Sequence, residues 1–162
     1  MQLQYSCADT NDASVVTGLN TLLLSASDTP IADMVALVAT VNNDGIVHIP
    51  GTTGTGFFAV ASVNVGASDT LMVSVDTGAA TLPIVTSLCE TDPATSVCIN
   101  PTTPTTGEVT LTINANETPS FAVFVEGMEN IAFDPANKRV FVRFKDAGGV
   151  TRGSTSVAVQ TD

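Results

Sequence analysis

The feature that most constrains this chain is a hydrophobic period of two along most of its length. In residues 70–76, Leu71, Val73 and Val75 share one face. In residues 107–115, Val109, Leu111 and Ile113 alternate with Glu108, Thr110 and Thr112. In residues 139–145, Val140, Val142 and Phe144 face one side while Arg139, Phe141, Arg143 and Lys145 face the other. Side chains alternate between faces in a strand and not in a helix, so these runs predict half-buried strands. Residues 46–50, 56–65, 121–126 and 154–160 read the same way, and two further strands are expected near 2–7 and 18–25. Ile31–Thr40 fits either a helical stripe (Ile31, Met34, Val35, Val38) or a buried strand, and the surrounding pattern favours the strand. Turn signals separate the runs: Asn43-Asp44-Gly45, Asp76-Thr77-Gly78, Asp92-Pro93, Asn100-Pro101 and Gly148-Gly149. Pro101-Thr-Thr-Pro-Thr-Thr106 is expected to be an extended connector, with a polyproline ligand as the other reading.

Many short strands with turns between them point to an all-β antiparallel sandwich, here of about nine to eleven strands, rather than to βαβ units. Composition agrees. Of 162 residues, 24 are Thr and 21 are Val, both β-branched, and only 13% are charged. That profile excludes a helical bundle, a coiled coil and a charge-rich disordered tail. The length suits a single module over 1–162, with 1–30 as an extra strand layer or a docking segment.

Cys89 and Cys98 flank an eight-residue stretch with a turn signal, the right length for a disulfide across a hairpin base. The competing reading is two buried thiols on neighbouring strands. Cys7 is then left over, either buried and inert or paired with a second chain or neighbouring module. There is no Cys-x-x-Cys, and His48 is the only histidine, so zinc is not expected.

No reaction is legible. His48 alternates with Val47 and Ile49 on a strand, which suits a hydrogen-bonded or solvent-facing residue better than a general base. Gly51-Thr-Thr-Gly-Thr-Gly56 lacks the Lys of a phosphate loop. Trp is absent, which disfavours a glycoside hydrolase site. No cofactor is expected. Calcium is a weak possibility at Asn43 and Asp44, where an Asx turn is the plainer account. Phe141 and Tyr5 are the candidate platforms for a surface glycan.

Charge is unevenly placed. The formal net charge is −11, which argues against nucleic acid and anionic membrane as partners. No apolar run reaches the roughly 18 residues of a membrane span. Residues 1–137 contain no Lys or Arg, so all five basic residues are Lys138, Arg139, Arg143, Lys145 and Arg152. They either offset self-repulsion within the domain or meet an acidic surface of another copy.

Three long strings carry a resemblance: Asp33 to Asp76, Cys89-Glu-Thr-Asp-Pro-Ala-Thr-Ser-Val-Cys98, and Phe133-Asp-Pro-Ala-Asn-Lys-Arg onward to Val159. Together they resemble a tandem repeat module of large secreted bacterial surface proteins. The resemblance implies an extracellular immunoglobulin-like sandwich in a stalk, adhesin or filament, with copies of itself or neighbouring modules as partners. It implies no enzyme activity. Asn116-Glu117-Thr118 fits a glycosylation acceptor and is read here as a turn. Met1 is followed by neither a basic region nor an apolar run, so any secretion leader is expected elsewhere.

Overall fold

The computed structural model describes residues 6, 8–12, 15, 21 and 26–162. The strands expected near 2–7 and 18–25 therefore lie outside the described residues, as do Cys7 and Tyr5. Among the described residues ten strands follow in chain order. They are β1 (Met34–Thr40), β2 (Ile46–Ile49), β3 (Thr55–Asn64), β4 (Asp69–Asp76) and β5 (Ile84–Thr91), then β6 (Cys98–Thr105), β7 (Val109–Ile113), β8 (Ser120–Gly127), β9 (Arg139–Lys145) and β10 (Thr151–Thr161). Among the described residues there is no helix. Sheet I has the order β1-β3-β8-β5-β6 and sheet II the order β2-β10-β9-β4-β7.

The period of two becomes the two inner faces. Val60, Phe121, Val123 and Leu88 of sheet I meet Leu71, Val73, Val142 and Phe144 of sheet II, each at most 1% exposed. Phe121 and Phe144 meet edge to face across the gap, their centroids 5.7 Å apart. Each fully buried side chain of this size stabilises the fold by about 1.5–3 kcal/mol. The sheets thus form a β-sandwich around one core.

Three expectations change. First, the sandwich is not wholly antiparallel: β2 runs parallel to β10. After β1 the chain turns at Asn43 (φ 56°) and Gly45 (φ 77°) and crosses to the other sheet, so β2 arrives beside the last strand instead of folding back as a hairpin. Second, among the described residues β1 is an edge strand rather than a buried one. Ala36 and Val38 pack on the core, but Val35 and Leu37 are 49% and 70% exposed. Third, residues 101–105 are not a connector but part of edge strand β6. Proline lacks an N–H, yet an edge strand tolerates it. The β5–β6 ladder is correspondingly irregular around Glu90.

Asn64, fully buried, ties the strands together at one end. Its side-chain amide donates to the carbonyls of Ala67 (2.8 Å) and Ile113 (3.1 Å). Its Oδ1 accepts from the N–H groups of Asp33 (3.1 Å) and Gly66 (3.0 Å). Across the sandwich β1 approaches β10 so closely that a Cβ on Gly153 would strike the Met34 carbonyl.

Candidate functional site: two unlike outer faces

The outer face of sheet II carries the basic strand. Arg143 Nε and one terminal nitrogen donate to Asp76 on β4 at 2.6 and 3.2 Å, and its guanidinium lies 4.7 Å from the centre of the Phe141 ring. Arg139 donates to the Ser156 hydroxyl (3.1 Å), the Ser156 carbonyl (3.1 Å) and the Pro135 carbonyl (2.8 Å). Burial pushes its guanidinium below its usual pKa. Arg152 Nε donates to Asp146 at 2.8 Å. Lys138 Nζ donates to the Ala132 carbonyl at 3.0 Å. Lys145 has no such partner among the described residues. The strand that looked like a basic contact surface therefore spends most of its cations on its own neighbours.

A cleft of about 740 Å³ opens on this face, lined in part by Gly78, Asn137, Arg139, Phe141 and Arg143. Phe141 is nevertheless only 4% exposed, because Gly78 and Arg143 lie against it. The expectation of a Phe141 glycan platform is thereby corrected: its ring face is covered.

His48 sits near one end of sheet II. Its Nδ1 lies 2.8 Å from Asp162 Oδ1 and its Nε2 2.9 Å from Asp44 Oδ2. Hydrogen bonds to Asp162 first, then Asp44, raise the imidazole pKa above its usual value. Asp44 is held low by the Ile46 N–H (2.9 Å) and by His48, and it also accepts from the Thr40 hydroxyl. Its oxygens are thus occupied, and Asn43 serves the turn. No group of three His, Cys, Asp or Glu side chains converges on a metal position among the described residues.

Cys89 and Cys98 form a disulfide with Cα atoms 5.6 Å apart, joining β5 to β6. Closing so short a loop contributes about 2–3 kcal/mol in the chain-entropy account. Asp92 braces the loop by accepting from the N–H groups of Thr95 and Ala94, which hold its carboxyl below the usual range.

The outer face of sheet I is different in kind. Directly opposed residues point to the same side of a sheet. Ladder register therefore places Phe57 beside Phe124, Ala59 beside Ala122 and Ala39, and Val63 beside Val35. Phe57, Ala59, Ala61, Ala39 and Leu37 are all exposed, and Phe57 and Phe124 have their centroids 6.4 Å apart. Glu126 is the one charge on β1, β3 and β8 that shares this face. Sequence reading missed this surface. The signal was available in residues 56–65, which are apolar on both faces rather than one.

No protein-family model matches the chain, and no curated protein is significantly similar to it.

Proposed function

We propose that this chain is a non-enzymatic, extracellular structural module of a bacterial surface stalk, adhesin or filament, with an immunoglobulin-like sandwich fold. Strand order supports the topology. With β1, β3, β4, β5, β8, β9 and β10 lettered A to G in chain order, sheet I contains A-B-E-D and sheet II contains G-F-C. Those orders match the two sheets of a constant-type immunoglobulin domain, which supports the reading. Strands β2, β6 and β7 are additions at the edges.

The observation that carries the structural role is the contrast between the two edges of sheet I. β6 carries Pro101 and Pro104, which blunt it, whereas β1 reads Met-Val-Ala-Leu-Val-Ala-Thr with neither charge nor proline. An uncharged terminal strand is a template for a strand from another unit. Charge complementarity between units rests on Lys138, Arg139 and Lys145, which have no acidic partner among the described residues, whereas Arg143 and Arg152 are paired with Asp76 and Asp146. The disulfide suits an oxidising compartment. Light scattering and electron microscopy of the purified chain, alone and as a tandem pair, test the role. Assembly that weakens when Lys145→Glu or a proline in β1 is introduced supports it. A monomer that binds a glycan in an array screen overturns it in favour of a ligand-binding module.

A further inference from the structure

We propose that the outer face of sheet I is a contact surface for a second copy of this chain, packed face to face about a two-fold axis. This goes beyond the function proposed above and does not rest on it; a ligand-binding module could dimerise in the same way.

The argument begins with relief. Phe57 and Phe124 stand side by side as a ridge across β3 and β8. Two residues along each strand, about 6.8 Å away at ordinary strand rise, Ala59 and Ala122 form a floor that continues through Ala39 on β1. The face thus carries a ridge and a parallel trough, one step apart. A two-fold axis lying in the contact plane, perpendicular to the strands and level with Phe58 and Val123, exchanges those two rows. Each copy's phenylalanine ridge then lies over the other's alanine trough. Such a contact is isologous and closes on itself.

Charge fits the same operation. Each copy carries −11, so faces that meet must be nearly uncharged. Glu126, the acidic group at the rim, falls opposite Ser120 of the other copy rather than opposite Glu126. Area fits as well. At ordinary spacing, β1, β3, β8 and β5 over seven residues cover about 450 Å² in plan. With the relief of Leu37 and the two rings, a facing pair removes about 1,200 Å², where specific interfaces begin. A heterologous apolar partner would need none of this internal symmetry.

Sedimentation equilibrium of the full chain from 1 to 200 µM tests the proposal. The wild type is expected to dimerise. Raising salt from 0.05 to 0.5 M should tighten the dimer, because screening relieves the repulsion between acidic copies; a contact built on Lys145 would loosen instead. Ala59→Glu places a charge in the trough and should weaken dimerisation at least a hundredfold, while the thermal melt, taken at a concentration where the wild type is monomeric, stays unchanged. Ala59→Phe sets ridge on ridge and should weaken it about tenfold. Phe57→Ala with Ala59→Phe exchanges ridge for trough on β3 and should recover most of that loss. A dimer indifferent to Ala59→Glu overturns the proposal, as does a monomer at 200 µM. In that monomer, Leu37 shielded from a soluble paramagnetic agent would assign the face to the chain's own first 25 residues. Leu37 open would leave the face to a different protein.

Discussion

The two sheets present nearly identical inner faces and opposite outer ones. Inside, both offer Val, Leu, Ile and Phe, and the two sets interlock. Outside, sheet II carries Arg139, Arg143 and Lys145 among Ser and Thr, while β1, β3 and β8 of sheet I carry mostly Ala, Val, Leu and Phe, with Ser120 and Glu126 at the rim. Alternation alone explains the inner faces, because a strand buried on one side needs apolar residues at every second position. It does not explain the outer face of sheet I, where water would favour polar side chains. Polar substitution there would cost the isolated fold little. An exposed apolar surface of this extent is the mark of a contact region, which is the ground for the dimer proposed above. On sheet II each guanidinium is bonded to a neighbouring strand or turn, and of the basic side chains Lys145 alone has no partner among the described residues.

The comparison can be broken first at the shared core. Phe121→Ala removes a ring that is fully buried against Phe144, and should cost about 3–5 kcal/mol by chemical denaturation. Leu37→Ser, on the outer face of the same sheet, should change stability by less than about 0.5 kcal/mol at a concentration where the chain is monomeric. Equal losses would mean that the outer face is part of the fold rather than a free surface. Next comes the disulfide. Cys89→Ala with Cys98→Ala should cost about 2–3 kcal/mol, and a reductant should destabilise the wild type but not this variant.

A smaller effect sharpens the reading of sheet II. Arg143→Met removes the partly exposed pair with Asp76 but keeps much of the side-chain stem over Phe141, so a loss of about 1 kcal/mol is expected. A neutral result would mean that the guanidinium serves something outside the domain.

The smallest effect is a pH dependence at the His48 knot. The imidazole pKa is raised in the folded state, so its stabilisation is full below about 6.5, the unfolded value, and fades as pH rises through the folded value. Asp44 and Asp162 are lowered, so theirs is full above about 3.9 and fades as pH falls through their folded values. Melting temperature should therefore be higher near pH 5.5 than near pH 8, and His48→Gln should flatten that difference. An unchanged slope in the variant would remove the knot from the account.

Much of the fold was legible because alternation is local. The inward sets Leu71, Val73, Val109, Ile113, Val140 and Val142 could be read directly, and so could the Cys89–Cys98 spacing. What escaped was non-local or masked by composition. The parallel seat of β2 beside β10 joins residues more than a hundred positions apart. β6 was hidden by its prolines, which read as loop until an edge position excuses them. Nothing in the sequence marks Asn64 as a tie; only its four partners do. The basic residues were visible, but whether they faced out to a partner or in to Asp76, Ser156 and Asp146 depended on cross-strand register. The same register turned scattered Ala and Phe residues into a ridge and a trough.

The central claim is that the two-fold contact between copies uses the outer face of sheet I and leaves that of sheet II open. The most direct measurement is solvent paramagnetic relaxation by NMR at low and high protein concentration. On raising the concentration, the account predicts that Leu37, Phe57, Ala59 and Ala122 become shielded while Lys145, Thr110 and Thr112 stay equally open. Shielding on sheet II alone, or none on either face, would contradict it.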